Sequence, residues 1–406
     1  MNYIKRDIEK QILRLSREYA CILVTGPRQV GKTTTLCMLS DGRRHVTLDD
    51  LDERALARND PAMFLELHPA PVLIDEVQYA PELFPYIKIK IDNGAAPGSF
   101  WLTGSQPFRL MTLSQESLAG RVAILHMQSL SQHEIYGFGE CAPFSLELSE
   151  LQKREAAQSP ADTASIYERI WRGSLPGFIS GKFTDRDVFY SSYLQTYINR
   201  DVRDQVQLTD TLIFRDFVRS AACRAGQMLN VHDIARDVGV SDDTARRWLQ
   251  VLEKSDVIFY LRPYSGNLLK RTVKTPKMYF FDTGLVAYIT RYSSPEILAN
   301  GAMNGALLEN YVVSELLKSY DNCVKECLIW YYRDSNNKEI DLVMEYDGEL
   351  HPMEIKRSVH PDGRIASSFR LLDRADLPRG KGAILCLRPT LSAVPSGDFI
   401  VPVWMI

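Results

Sequence analysis

The sequence predicts an α/β protein in three parts: a parallel sheet covered by helices, then a helical region containing a helix-turn-helix, then a smaller α/β unit. Three observations carry this. Short apolar strands alternate with helical stretches up to His126, two amphipathic helical segments are broken at Gly239-Val240-Ser241, and a strand–Asp347-Gly348–strand pattern follows near the C-terminus.

A chain of 406 residues is too long for one ordinary core and predicts two or three domains. With 45% hydrophobic and 24% charged residues it reads as globular, and a net charge of −3 excludes a uniformly basic nucleic-acid coat, so any such contact must rest on a local patch. The seven cysteines (Cys21, Cys37, Cys141, Cys223, Cys323, Cys327 and Cys386) are scattered without zinc-ligand spacing and read as reduced thiols. The N-terminus has no apolar signal core and no stretch has the length of a membrane helix, so a cytoplasmic protein with no membrane partner is expected.

In the first part, residues 1–142, strands are expected at Cys21–Thr25, His45–Leu48, Val72–Ile74, Phe100–Thr103 and Val122–His126. The first runs into Gly26-Pro27-Arg28-Gln29-Val30-Gly31-Lys32-Thr33, followed by Thr34 and a helical stretch. Glycines at the ends of such a loop let backbone N–H groups close around a β-phosphate, and the helix N-terminus adds positive potential. Lys32 is expected to bridge the β- and γ-phosphates and Thr33 to hold Mg²⁺, with ATP as the nucleotide. Strand Val72–Ile74 ends in Asp75 and Glu76. Asp75 is expected to order the Mg²⁺ shell, and Glu76 to polarise the attacking water. Thr103 and Ser105, past the Phe100 strand, are candidates to reach the γ-phosphate or that water, or else serve turn chemistry alone. Arg121 is a candidate for neutralising transition-state charge in its own or a neighbouring subunit, and Asp49 and Asp50 either approach the site or cap a helix.

Residues 143–165 are polar and read as a linker. The next part, 166–299, is helical, with His232–Val238 and Asp242–Lys254 forming the helix-turn-helix and Ser241 capping the second helix. Arg246 and Arg247 face outward, and the stretch from Leu261 to Lys277 carries Arg262, Lys270, Arg271, Lys274 and Lys277 with no carboxylate, a local basic patch for DNA. Asp242 and Asp243 at the start of the second helix oppose phosphate contact, which leaves a packing adapter as the alternative.

In the last part, 300–406, a two-residue Asp347-Gly348 turn sets Tyr346 opposite Glu349, so counting outward places Asp341 opposite Glu354 and Glu339 opposite Lys356 on one face. Opposed carboxylates repel unless a cation separates them, which suggests a second Mg²⁺ or Mn²⁺ and a nuclease site in which Lys356 activates water. Glu309, on the packed side of the Gly305–Lys318 helix, is the candidate upstream acid. The alternative is an exposed hairpin in which Glu339 pairs with Lys356 and the fold serves only binding.

The loop and its carboxylates, in this order, resemble the AAA-type P-loop ATPases of bacteria and archaea, in the branch related to STAND-like and archaeal ATPases. Ser117-Leu118-Ala119-Gly120-Arg121, Arg172-Gly173-Ser174-Leu175-Pro176-Gly177, Tyr197-Ile198-Asn199-Arg200-Asp201-Val202, Lys274 to Leu285 and the closing Glu354-Ile355-Lys356 extend the resemblance over nearly the whole chain. It implies an ATPase domain, then a winged helix, then a domain like the PD-(D/E)XK restriction endonucleases. It also implies a homo-oligomer, because AAA-type sites are often completed by a neighbour's arginine. Two functions follow as expectations: an ATPase acting on DNA with a metal-dependent nuclease domain, or a nucleotide-controlled switch whose C-terminal part binds a protein partner.

Overall fold

β1 (Cys21–Thr25) is apolar at four of its five positions and buried at all of them, because β4 (Phe100–Gly104) pairs with it on one side and β5 (Val122–His126) on the other. With β2 (Arg44–Thr47) and β3 (Val72–Asp75) these strands form a parallel five-stranded sheet in the order β2-β3-β4-β1-β5. The computed structural model describes residues 3–105, 110, 118–137, 141–197, 211–265, 275–334 and 336–406. Lys270, Arg271, Lys274, Gln106, Ser117 and the Ile198–Val202 motif residues lie outside them.

Side chains of β1 alternate between the two faces of the sheet. Ile22 and Val24 join Ile12 and Leu36 in one apolar cluster, while Cys21 and Leu23 join Phe84 and Ile87 in another. Among the described residues the sheet is flanked by helices α1 (Glu9–Ser16), α2 (Lys32–Leu39), α3 (Leu51–Asn59), α4 (Pro61–Leu67) and α5 (Leu83–Asp92). Each fully buried aliphatic or aromatic side chain here contributes about 1.5–3 kcal/mol. The strand order matters for the site: β4 lies between β1 and β3, so its C-terminal end sits between the loop after β1 and the carboxylates after β3.

The polar stretch expected as a linker is packed rather than free. After α6 (Gln132–Tyr136), Phe144 and Leu146 are buried and α7 (Leu148–Ala157) buries Leu151 and Arg154. Arg154 donates to the carbonyls of Met405 at 3.1 Å and Ala142 at 2.5 Å, tying the segment to the chain's last residues. Its polar composition reflects one covered helical face, which a strand-oriented reading overlooks.

Helices α8 (Thr163–Arg172), α9 (Pro176–Ile179), α10 (Arg186–Tyr197) and α11 (Thr211–Ala222) lead to the helix-turn-helix, α12 (Val231–Val238) and α13 (Asp242–Lys254). Gly239 ends α12 in the left-handed region at φ 73°, and Ser241 caps α13 by accepting from the Thr244 amide at 3.2 Å. An antiparallel sheet ordered β6-β8-β7 follows, from β6 (Gln227–Met228), β7 (Ile258–Leu261) and β8 (Lys277–Phe280).

Beyond α14 (Thr283–Ile289) and α15 (Pro295–Asn300), the long helix α16 (Asn304–Asp321) packs against a mixed sheet. Its order is β13-β14-β12-β11-β10-β9, from β9 (Ile329–Arg333), β10 (Glu339–Tyr346), β11 (Glu349–Lys356), β12 (Ala383–Cys386), β13 (Ser392–Ala393) and β14 (Phe399–Pro402). One apolar cluster is shared by all three parts, running from Ile22 through Trp248 and Leu316 to Ile406, while the cluster around Phe84 belongs to the first part alone. Gln132 fixes the chain end from the first part, donating to the carbonyls of Val403 and Ile406. Among the described residues no helix is long and apolar enough to cross a membrane.

Candidate functional site

The loop between β1 and α2 can approach its neighbours closely because Gly26 carries no side chain. A Cβ there would sit 2.1 Å from the Met127 carbonyl oxygen, at a φ of +146°. Gly31 opens α2 in the left-handed region at φ 94°. Lys32, buried at the start of α2, folds back to donate to the carbonyls of Gly26 at 3.0 Å and Pro27 at 2.7 Å. Burial pushes its pKa down to about 8 from 10.5, against the partial restoring charge of Glu76.

Thr33 donates to Asp75 Oδ1 at 2.8 Å, joining α2 to the end of β3. Burial raises the Asp75 pKa, which the Thr33 hydrogen bond partly offsets. A hydroxyl and a carboxylate oxygen are hard donors of the kind Mg²⁺ prefers, so this pair fits the expected ion.

Glu76 follows in the left-handed region at φ 57°, a strained conformation for a non-glycine residue that turns its carboxylate toward β4. Ser105 donates to Glu76 Oε2 at 3.2 Å, and Gln78 Nε2 donates to the same oxygen and to Ser105 Oγ. Ser105 is therefore the residue of its pair that the structure brings to Glu76. The Thr103 hydroxyl is buried within β4 with no hydrogen bond among the described residues. Gln78 was not singled out from the sequence; only the packing of β4 against the Val77–Tyr79 turn reveals it, since a Cβ on Gly104 would lie 2.2 Å from Gln78 Oε1.

Arg6 is a second residue the sequence did not flag. Buried under the loop, its guanidinium donates to Val30 O at 2.7 Å, Gln128 O at 2.7 Å and Glu134 Oε1 at 2.8 Å, holding the loop against α6. A cavity of about 750 Å³ opens over the loop. Arg28 to Thr35, Glu76 and Ser105 line one side, and Pro176, Lys182, Phe183, Phe189 and Tyr193 of the helical region line the other.

Arg121 lies at the start of β5, whereas His126 at its end pairs beside Thr25 and the loop. Arg121 is therefore at the far end of the sheet from the phosphate site of this chain, where it pairs with Asp92 at 2.5 Å. Asp50 caps α3 by accepting from the Asp52 and Glu53 amides. His126 instead reaches across: Nε2 meets Asp256 at 2.8 Å and Nδ1 meets Asp321 at 3.2 Å. Burial opposes its charge, but the two carboxylates outweigh this and raise its pKa to about 10. One imidazolium thus links the sheet, the end of α13 and the end of α16.

Over 408 aligned residues the chain is 30% identical to an uncharacterized protein of Mycobacterium tuberculosis and equally to one of Mycobacterium bovis, an alignment covering 98% of this chain and 84% of each relative. The chain belongs to their family. Within it, residues 18–136 match the AAA domain, residues 163–296 a domain of unknown function (DUF8612) and residues 304–406 another (DUF4143). Among solved structures, the Walker-type ATPase of Pyrococcus abyssi aligns with 71% of this chain and 96% of its own at 14% identity and a TM-score of 0.45. The AAA match encloses Gly26–Thr34, Asp75, Glu76 and Ser105, so the parallel sheet is a P-loop ATPase domain that binds ATP.

In the last part, the hairpin register runs from Leu342–Met353 to Tyr346–Glu349, as a two-residue turn requires. Lys356 donates to Asp341 at 3.0 Å and Glu354 at 2.6 Å, so its ammonium group lies between these acids and relieves the repulsion anticipated there. Asp341 also accepts from the Ile355 amide at 2.9 Å. Glu339 does not pair with Lys356. Lys277 of β8 inserts instead between Glu339 at 2.7 Å and Glu309 at 2.9 Å, and Tyr279 donates to Glu309 at 2.6 Å. Among the described residues no group of three acids, histidines or cysteines is arranged to hold a metal. Lys277, counted above in the basic patch, is buried and committed to these acids.

Arg246 and Arg247 are exposed on α13, opposite buried Ala245, Trp248 and Leu249. The aromatic face packs against Phe214 and Phe217 of α11, which fixes the two arginines outward.

Proposed function

We propose that this protein hydrolyses ATP with Mg²⁺ at the Gly26–Thr34 loop and uses that cycle to act on DNA through the α12–α13 unit, a winged helix in this reading. One observation carries the hydrolytic part: the Glu76 carboxylate, held by Ser105 and Gln78, faces the same cavity as Lys32 and Thr33. When ATP enters, Lys32 exchanges the Gly26 and Pro27 carbonyls for β- and γ-phosphate oxygens. Thr33 and Asp75 would hold Mg²⁺, which supplies charge neutralisation at those oxygens. Glu76 takes the proton of a water as its oxygen attacks the γ-phosphorus and the bond to ADP breaks. Ser105 and Gln78 fix the carboxylate in the position this requires.

The far wall of the cavity belongs to α9, α10 and the turn between them, so the presence of nucleotide bears directly on the helical region. His126 carries a second link, to Asp256 just beyond α13. Arg246 and Arg247 supply the cationic face for DNA phosphates. For the C-terminal part, a binding role without nuclease activity is favoured by the two lysines that already neutralise Glu309, Glu339, Asp341 and Glu354.

The test measures ATP turnover and duplex affinity across a salt series for wild type and the Arg246→Ala/Arg247→Ala variant. Duplex DNA should bind and stimulate turnover, and the variant should lose affinity with a salt slope smaller by about 2 while DNA-free turnover persists. No wild-type DNA binding at low salt would remove DNA from the reading and leave the ATPase.

A further inference from the structure

Two of the scattered cysteines meet. Cys141, in the segment after α6, and Cys323, just past α16, are 182 positions apart in sequence, yet their Sγ atoms are 3.3 Å apart. Both are partly exposed, so a small reagent can reach them, whereas Cys21 and Cys386 are buried. The approach is built in from both sides. Arg154 holds the Ala142 carbonyl, the Phe144 amide donates to Ser319 Oγ at 3.2 Å, and Tyr320 donates to the Phe144 carbonyl at 2.9 Å. The strand of chain carrying Cys141 is thus laid along the end of α16. Closing to a disulfide length of about 2.05 Å requires a movement of about 1.3 Å, within the reach of side-chain rotation.

We propose that Cys141 and Cys323 form a reversible disulfide on exposure to a hydroperoxide, covalently tying the end of the ATPase part to the last helix. Cys323 attacks first, because the hydrogen bond between the two sulfurs lowers its pKa, with Lys325 and Arg154 adding to the effect against burial and Asp7. The Cys323 thiolate attacks a peroxide oxygen, the O–O bond breaks, and the departing hydroxide takes a proton to become water, leaving a sulfenic acid. Cys141 then loses its proton, its sulfur attacks the Cys323 sulfur, and the S–O bond breaks to release a second water. Two thiols and one hydrogen peroxide give one disulfide and two waters.

The test uses the full chain carrying Cys37→Ser and Cys223→Ser, which removes the two exposed thiols, treated with hydrogen peroxide and then alkylated. The expected result is a chain carrying two alkyl groups fewer than the reduced, alkylated control, a crosslinked peptide joining Cys141 to Cys323, and reversal by dithiothreitol. Adding Cys141→Ser should abolish the crosslink and leave Cys323 as a sulfenic acid captured by dimedone. Circular dichroism confirms that each variant is folded. A folded chain that keeps every thiol open to alkylation, or that crosslinks a different pair, overturns the proposal, as does an equal protection of two thiols in the Cys141→Ser variant.

Discussion

The Thr33 hydroxyl donates to Asp75 Oδ1 at 2.8 Å, joining the first turn of α2 to the end of β3. Two residues 42 positions apart in sequence thereby share one point over the phosphate loop. Thr33→Ala removes a donor from that point, so nucleotide affinity in Mg²⁺ should fall by about tenfold or more while affinity in EDTA changes little. Thr33→Ser should restore it. Fluorescent-nucleotide titrations with and without Mg²⁺ read both.

Lys32 is buried with a pKa near 8 against 10.5 for the free side chain. Between those values the unfolded chain binds more protons, so stability rises with pH across that window, and the burial cost is fully present below pH 8. Lys32→Met should therefore stabilise the nucleotide-free protein at pH 7, by on the order of 1–3 kcal/mol, and the gain should fade toward pH 10.5. Phosphate oxygens would raise the Lys32 pKa, so ATP binding at pH 8.5 should take up protons, seen as a buffer-dependent enthalpy in calorimetry. A binding enthalpy independent of buffer would contradict this.

Arg6 and Glu134 form a buried ion pair with side chains 2% and 0% exposed. Arg6→Met leaves Glu134 without its charge partner and should cost about 3–5 kcal/mol, a drop visible in thermal unfolding. It also releases the Val30 carbonyl, so nucleotide affinity should weaken in whatever protein remains folded.

The loop, its strand and its helix were legible because they are local: β1 and β5 fall at the expected residues, and Ser241 and Gly239 cap the helices as their chemistry predicts. The hairpin register was legible for the same reason, since a two-residue turn fixes every pair beyond it. Arg6, Gln78 and Lys277 were not. Each acts on residues brought near only by tertiary packing, and nothing in the neighbouring sequence marks a lysine of β8 as the partner of acids on α16 and β10. The opposed carboxylates were expected to hold a divalent cation between them, but the sequence does not say that Lys356 curls back to pair with both.

That cation has a measurable role. Burial and the nearby Asp341 raise the Glu354 pKa to about 7, with Lys356 opposing the rise. Lys356→Met should raise it further and destabilise the protein by about 1–3 kcal/mol at pH 8, a buried-pair cost reduced by solvent at the partly exposed lysine, and by less at pH 5 where Glu354 is protonated. Urea unfolding at the two pH values checks the difference.

The most direct measurement is ATP turnover and ATP affinity of Glu76→Gln beside wild type. Wild type should hydrolyse ATP in Mg²⁺, and the variant should bind ATP within a fewfold of wild type while turnover falls by about a hundredfold or more. A variant that hydrolyses ATP at the wild-type rate would contradict the assignment of Glu76 and the Ser105–Gln78 support behind it.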